Sequence, residues 1–165
     1  MRGMRRANRE IKSGQVMREI LEECQVVRIG TLDDEGRCIV PVNCGYDFSD
    51  TESKWNLKLY LHGAGEGRKA EAFTASPNVA FELDCRHQVI INQEACGCSF
   101  AYRSIMGSGR IRKLTSREEK TYALEKIMEH MAPGVEAKFH DGTLEHTAVY
   151  CIEAECLTGK ERPER

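Results

Sequence analysis

The sequence predicts a mainly β protein, a six-stranded antiparallel barrel with helices on its outside. Six segments rich in β-branched and aromatic residues recur along the 165 residues, and several of them alternate polar and apolar positions. Most of these segments follow one another as hairpins, without the regular strand–helix alternation of a parallel sheet. No repeat or linker interrupts the chain, so residues 1–165 are expected to form a single domain.

The first predicted elements are an arm, a helix and a hairpin. Residues 1–10 are basic and are expected to form a mobile arm. Ser13 can cap a helix, because apolar residues follow it at helical spacing at 16, 17, 20, 21 and 24. Strands are predicted over 25–32 and 37–48, joined by the turn DDEG. Pro41 lacks an N–H, so it should face an edge, a bulge or a ligand.

The second half of the chain continues this pattern. Strands are predicted over 54–62, 78–84, 99–114 and 147–157, and a short helix over 68–75. Gly107 and Gly109 suggest a bulge or a sharp bend. Ser116 and Glu119 form a capping box for a helix that ends before Pro133, whereas residues 86–97 remain ambiguous.

Composition excludes several classes of protein. Lys and Arg number 24 against 26 Asp and Glu, so a net charge of -2 gives no electrostatic basis for nucleic-acid binding. No apolar run approaches the roughly 18 residues of a membrane span, and no secretory signal follows the basic N-terminus. The eight cysteines are interpreted as reduced thiols of a cytoplasmic protein. No paired Cys/His pattern predicts a metal site, although Cys96 and Cys98 form a C-x-C near His87.

The most informative segment is HGAGEGRK at 62–69, where three glycines precede Arg68 and Lys69. Glycines let a ligand approach the backbone, and the helix that follows offers free N–H groups and a positive dipole end. An anion would also relieve the conflict between that dipole and two cations in the first turn. The alternative is a solvated loop with two surface cations. Two familiar phosphate-binding motifs are excluded. A Walker A loop would need Ser or Thr after its lysine, but Lys69 is followed by Ala70. A Rossmann fingerprint would need G-x-G-x-x-G in a parallel unit, but the spacing here is G-x-G-x-G in an antiparallel pattern.

Several segments, in this order, resemble a known family. HGAGEGRK, then SPNVAFELD at 76–84 and YRSIMGSGRI at 102–111, are similar to the FMN-binding split-barrel family typified by pyridoxamine 5'-phosphate oxidase. MRRANREI, the hairpin at 28–48 and EEKTYALEKIMEHM fit its nitroimidazole-resistance (Nim) branch, so the resemblance covers about residues 4–160. It implies a split β-barrel that binds FMN at the interface of a homodimer. The substrate-phosphate arginine pattern of the oxidase is missing near the C-terminus, so pyridoxamine phosphate oxidation is not expected.

The resemblance also implies roles for individual residues. Arg68 and Lys69, after Gly67, would hold the flavin phosphate, and Ser104 would be a second phosphate or ribityl contact. Backbone of two segments would line the flavin ring: Arg28, Ile29 and Gly30, and Pro41, Val42 and Asn43. His62 would point toward the cofactor and is the candidate catalytic residue, as a proton donor or as a group that orients the substrate. Its alternative role is only to hydrogen-bond the phosphate or a carbonyl.

Other chemically active side chains have simpler expected roles. His130 is expected to complement a helix dipole, and His140 and His146 to lie on the surface. Cys38 and Cys44 are expected to fill the core, with a redox-active thiol near the flavin as the alternative. Tyr46 and Tyr102 could each contact the ring or could be buried with a satisfied hydroxyl.

The expected function is that of an FMN-dependent oxidoreductase, a nitroreductase-like enzyme for small electron-poor molecules such as nitroimidazoles. FAD could replace FMN, and a nicotinamide or another external reductant would supply electrons. The sequence contains no Ser-His-Asp or paired-carboxylate pattern, which agrees with chemistry performed by the cofactor. The alternative is a non-catalytic barrel that binds flavin or haem, with His62 or His87 as the axial ligand.

Overall fold

The computed structural model describes residues 4–51 and 54–164, with the side chain of Asp141 excepted. This part of the chain forms seven strands and four α-helices. The strands are β1 Val27–Asp33, β2 Gly36–Val42, β3 Gly45–Thr51, β4 Lys54–Gly63, β5 Asn78–Ile90, β6 Ser99–Lys113 and β7 Ala148–Arg162. The helices are α1 Gly14–Glu23, α2 Arg68–Ala75, α3 Arg117–Met131 and α4 Asp141–His146, with 3₁₀ turns at Ala7–Arg9 and Ala95–Gly97.

All seven strands belong to one antiparallel sheet, in the order β2-β1-β5-β6-β7-β4-β3. Its two edge strands, β2 and β3, are consecutive in sequence and are joined only by Asn43 and Cys44. A link this short spans at most ~11 Å. The sheet therefore curls until its edges approach each other, which gives an open, split barrel. The predicted mainly β fold with an antiparallel sheet is confirmed, with seven strands where six were predicted.

The additional strand arises because the segment predicted as one strand over 37–48 is two strands. Val42 pairs with Val27 on β1, whereas Gly45 pairs with Tyr60 on β4. The chain thus changes its pairing partner at Asn43, whose side-chain amide donates a hydrogen bond to the Gln25 carbonyl at 2.9 Å. Extended, apolar sequence continues through this crossing, so the pattern alone gave no sign of it.

The main core lies inside the curled sheet, against α1 and α2. Its fully buried residues include Met17, Ile20, Leu21, Val27, Ile29, Leu59, Leu83, Ile105 and Ile152. A second apolar cluster lies under α3, where Leu124 and Ile127 pack near Tyr60 and Val149. The helix α3 therefore covers the outside of β3, β4 and β7. The outer face of β2, β1, β5 and β6 instead carries large exposed apolar side chains at Leu32, Ile39 and Met106.

Both predicted helix caps are confirmed. The Ser13 hydroxyl accepts a hydrogen bond from the Val16 N–H at 3.4 Å, and the Ser116 hydroxyl accepts one from the Glu119 N–H at 3.2 Å. The Glu119 carboxylate accepts from Arg112 at 2.8 Å. Each hydroxyl satisfies one N–H that the first helical turn leaves without an intrahelical partner.

The described segment before α1 is held against β7. Residues 1–3 of the predicted arm lie outside the described residues. Beyond the first 3₁₀ turn, Glu10 bridges to Lys160, and the Ile11 N–H donates to the Gly159 carbonyl at 3.0 Å. The described remainder of the arm is thus anchored to the last strand.

Strand β5 is longer than predicted. The strand β5 continues through part of the ambiguous segment, and its pairing with β6 is irregular between Cys85 and Gln88. Arg86 lies in this irregular stretch with a positive φ of 56°. The predicted bulge in β6 is confirmed by the register shift between Ser108 and Gly109.

No helix in the described part of the chain is long and apolar enough to cross a bilayer.

Candidate functional site

The glycine-rich loop connects β4 to α2. Gly67 stands at the N-cap of α2 with φ 89°, a conformation that favours glycine, and no side chain caps the helix. A side chain added at Gly65 would make only an ordinary contact with Ala148. The first-turn N–H groups of α2 therefore have no side-chain acceptor, which is the arrangement in which a helix N-terminus can receive an anion.

The side chain of Lys69 folds back over this loop. A Cβ atom built at Gly63 would overlap the Lys69 ammonium nitrogen. Gly63 is therefore needed for the close approach of Lys69. Lys69, which is predicted to bind the phosphate, thus lies beside the glycine loop and is half-buried there.

Arg68 is held by carboxylates of the β1–β2 turn. Its Nε and Nη2 donate to the two carboxylate oxygens of Asp33 at 2.6 and 3.1 Å, and its Nη1 lies 3.4 Å from Glu35 Oε2. These hydrogen bonds lower the pKa of Asp33 and raise the pKa of Arg68. The guanidinium is therefore fixed between the loop and the turn, and any anion at α2 would share it with Asp33.

This ion pair has a testable pH dependence. Because the pKa of Asp33 is lowered in the folded state, the pair stabilises the fold above the ordinary carboxyl pKa of about 3.9, and this contribution is lost as the pH falls through the lowered value. We expect Asp33→Asn to lower the urea midpoint slightly at pH 7, with a difference from wild type that shrinks as the pH falls below about 4. Asparagine retains the oxygen that accepts the Glu35 N–H at 3.0 Å.

Asp34→Asn is the matched control, since Asp34 is exposed in the same turn. We expect it to leave the midpoint unchanged at every pH. A constant offset for Asp33→Asn across the whole pH range would contradict the ion-pair assignment.

A second group of predicted residues lies on the outer face of the sheet. Arg28 is directly opposite Pro41 on β2, and its Nη1 lies 2.5 Å from Asp84 Oδ1 and 3.2 Å from Glu82 Oε2. Ser104 is directly opposite Asp84 on the next strand. The hydrogen bond with Asp84 raises the pKa of Arg28, whereas burial raises the pKa of Glu82. Arg28, Pro41 and Ser104 thus share one face.

The remaining ring-lining residues offer backbone rather than side chains. Ile29 is fully buried in the core, and Val42 packs against it from the edge. Gly30 lies on the outer face, where an added Cβ would meet Ala80 only at 3.8 Å. Gly30 and Ala80 therefore form a flat stretch of sheet surface beside Arg28. The family resemblance implies only backbone contacts for these residues, which agrees with the burial of the Ile29 side chain and the absence of one at Gly30.

The distances between the predicted residues follow from strand geometry. Along β1, Arg28 and Asp33 are separated by roughly 17 Å of strand, a span that an extended FMN covers. His62 is exposed and pairs with Val149, whereas Ser104 pairs with Lys160 at the other end of β7. Strand β1 therefore connects Arg28 to Arg68 through Asp33, whereas His62 and Ser104 lie beside opposite ends of β7.

His130 and Cys44 lie away from the glycine loop and contribute to packing between elements. His130 Nδ1 lies 2.6 Å from the Cys44 carbonyl oxygen and Nε2 lies 3.4 Å from that of Glu22, so this side chain joins α3 to β3 and α1. His130 lies in the last turn of α3, so its predicted position at the C-terminal end of the helix is confirmed, and the same side chain also tethers neighbouring elements. Cys44 is fully buried, and burial raises its pKa to about 12, so it is a core filler rather than a redox thiol.

A groove of about 530 Å³ adjoins the glycine loop and was not predicted. Loop residues 64–66 form one wall, and Lys113, Lys120 and His146 lie along the rest of its lining. Lys120 Nζ donates to the Leu144 carbonyl at 2.6 Å, which fixes α4 against α3. The sequence predicts a surface loop at 140–146, where the structure has the short helix α4. Among the described residues, no group of three or more His, Cys, Asp or Glu could hold a metal ion.

Comparison with known proteins gives one family and several similar folds. A family model described as pyridoxamine 5'-phosphate oxidase matches residues 14–161. No curated protein matches the sequence significantly. Among solved structures, a candidate 5-nitroimidazole antibiotic resistance protein from Bacteroides thetaiotaomicron is 27% identical, with a TM-score of 0.78 over 92% of this chain and 86% of that one.

Two more distant structures share the fold. The flavocytochrome Anf3 from Azotobacter vinelandii is 18% identical, with a TM-score of 0.78 over 98% of this chain and 73% of that one. The FAD and heme binding protein from Mycobacterium smegmatis is 15% identical, with a TM-score of 0.77 over 94% of this chain and 74% of that one. At these low identities, the comparison shows only that the two proteins share the fold of this chain.

Proposed function

The chain belongs to the pyridoxamine 5'-phosphate oxidase family, in its nitroimidazole-resistance branch, and from this premise we propose that it is a flavin-dependent oxidoreductase that reduces small electron-poor molecules such as nitroimidazoles. The observation that carries the proposal is the start of α2, where no side chain caps the helix and where Lys69 lies over Gly63. This arrangement fits a phosphate group. It is joined along β1 to a flat, exposed face that fits a planar ring.

The residues present fit FMN at both ends. At one end, the first-turn N–H groups of α2 and the Lys69 ammonium would bind the phosphate, with Arg68 held beside them by Asp33. At the other, the flat surface of Gly30 and Ala80 would support the ring, and the Arg28 guanidinium would lie at its edge. Ser104 would supply a hydroxyl contact from β6.

When bound, the flavin supplies electron transfer, and the chain supplies position, charge and exclusion of water. An external reductant, a nicotinamide or another donor, provides the electrons. His62, exposed at the end of β4 beside the glycine loop, is our candidate for the group that donates a proton to the reduced product or orients the substrate. A His62→Gln variant with an unchanged rate of substrate reduction would remove this role.

We also propose that a second copy of the chain completes each site. The outer face that carries Arg28, Gly30 and Ser104 also exposes Leu32, Ile39 and Met106 by 49%, 72% and 59%. Burying such side chains against another protomer is favourable, and it would bring a second set of residues to the ring. We expect light scattering to give twice the chain mass. A stable species of 18.7 kDa that still binds flavin would contradict a shared site.

FAD is a second candidate cofactor, favoured by the groove beside the glycine loop. Its volume of about 530 Å³ would accommodate a nucleotide that extends past the phosphate position, and Lys113, Lys120 and His146 line it together with Glu66 and Glu145. FMN would leave this groove free. Parallel titrations with FMN and FAD distinguish them, since only a filled groove gives FAD the higher affinity.

The visible spectrum of the purified protein, mixed with FMN, tests the proposed function. We expect a flavin spectrum that bleaches when NADH or NADPH is added without oxygen and that returns when a nitroimidazole is added. A Soret band in place of it would favour the haem-binding alternative. A protein that stays colourless and binds neither FMN nor FAD would refute the proposal.

A further inference from the structure

The hairpin between β5 and β6 carries two cysteines that the proposed function does not use. Cys96, Gly97 and Cys98 lie at its tip, where every residue from 91 to 98 is exposed. From this arrangement we propose that Cys96 and Cys98 are a reversible dithiol–disulfide pair that exchanges with small disulfides. The proposal does not depend on the flavin.

The geometry of the turn places the Cα atoms of the two cysteines within the range that a disulfide allows. The 3₁₀ turn Ala95–Gly97 is closed by hydrogen bonds from the Gly97 N–H to the Glu94 carbonyl at 2.9 Å and from the Cys98 N–H to the Ala95 carbonyl at 3.2 Å. In a 3₁₀ turn, Cα atoms two residues apart are roughly 5 to 6 Å apart. A disulfide requires about 4.4 to 6.8 Å, so the bond needs rotation of side chains rather than rearrangement of the backbone.

Asn92 holds this turn in place. Its N–H donates to Cys98 Sγ at 3.4 Å, and the same sulfur lies 3.5 Å from the Asn92 carbonyl oxygen and 3.8 Å from that of Glu94. A Cβ atom at position 97 would lie 2.6 Å from the side-chain carbon Cγ of Asn92. Glycine between the cysteines thus permits the close packing that keeps both sulfurs on one small loop.

The pair is distinguished from the other thiols by access. Cys24, Cys44 and Cys151 are buried, and burial raises the pKa of each. The remaining three, Cys38, Cys85 and Cys156, are half-buried. An accessible thiol with a second thiol next to it is the arrangement found in reversible redox sites. Exposed disulfides are accessible to reducing thiols, which suits exchange rather than structural support.

The exchange balances without any further reactant. One hairpin thiolate attacks a sulfur of a low-molecular-weight disulfide such as glutathione disulfide, forms a mixed disulfide and releases one glutathione thiolate. The second hairpin thiolate then attacks the protein sulfur of that mixed disulfide and releases the second glutathione. The pair loses two electrons and two protons, and glutathione disulfide is reduced to two glutathione molecules.

The test is incubation of the full-length protein with glutathione disulfide, followed by peptide mapping under non-reducing conditions. We expect a peptide that contains both Cys96 and Cys98 and that is lighter by two hydrogens, and we expect excess glutathione to restore both free thiols. Cys96→Ser and Cys98→Ser should each lose the internal disulfide and retain a glutathione adduct on the remaining cysteine.

Cys156→Ser is the matched control, because it removes a half-buried thiol outside the hairpin. It should form the internal disulfide as wild type does. The proposal is overturned if the wild-type protein accumulates only glutathione adducts at the two positions, or if these thiols do not react while Cys156 does.

Discussion

A Gly45→Ala variant is expected to be less stable than the wild-type protein by about 3 kcal/mol. At this position α3 lies directly on the start of β3. A Cβ atom there would lie within 2.5 Å of the Lys126 carbonyl oxygen, and the backbone of Ile127 is equally close. These are backbone atoms of a helix, so they cannot move aside as a flexible side chain can. The helix must shift away from the sheet, and part of its contact with Tyr60 is lost.

Urea unfolding followed by circular dichroism measures this effect. Gly142→Ala is the control, since an added Cβ at Gly142 has no neighbour within 4 Å. Its stability should stay within about 1 kcal/mol of wild type, in the stabilising direction if it changes, because alanine favours a helix. Equal stability of Gly45→Ala and wild type would show that α3 does not pack on β3 as described.

Replacing both Arg68 and Lys69 with alanine is expected to weaken FMN binding by roughly 2 to 4 kcal/mol. At 25 °C that corresponds to a dissociation constant about 30- to 1,000-fold higher. The structure also predicts how the effect divides between the two positions. Arg68 is already bound by both oxygens of Asp33, whereas Lys69 lies over the loop without a carboxylate partner among the described residues. Lys69→Ala alone should therefore account for most of the loss.

Titration of FMN fluorescence measures these affinities, and riboflavin provides the matched ligand control. Because riboflavin lacks the phosphate, the double variant should bind it as well as the wild-type protein does. Lys54→Ala is the matched protein control, since Lys54 begins β4 at the end far from the glycine loop. Unchanged FMN affinity in the double variant would place the phosphate elsewhere, and an equal loss for riboflavin would indicate damage to the fold.

Local features of this fold could be predicted from the sequence because local physics decides them. The two serine caps depend on a hydroxyl three residues from a free N–H, and both are present as expected. The helix after the glycine loop begins at Arg68, as the sequence indicated. The break at Asn43 was missed because it depends on which strand each half pairs with, and extended sequence on both sides looks the same.

The candidate site was only partly predictable for the same reason. Glycines at 63, 65 and 67 with two cations identify the loop from local sequence. The carboxylate that binds Arg68 is Asp33, which belongs to a turn thirty-five residues earlier and became its partner only when the sheet curled. The groove next to the loop depends on α4, a six-residue helix without an apolar stripe. Contacts between distant segments cannot be predicted from the local sequence of either segment.

The position of β7 determines how this chain can assemble. It is the last strand in sequence, yet it lies between β6 and β4, and it is the element that joins the two parts of the sheet. Until it has left the ribosome, the β3–β4 hairpin has no neighbour to pair with, and the four strands β2, β1, β5 and β6 remain a separate unit. Closure of such long loops is slow, so folding in milliseconds to seconds is expected once β7 is available to pair. Chains that terminate before Ala148 would expose two unpaired strand edges and would be prone to aggregation.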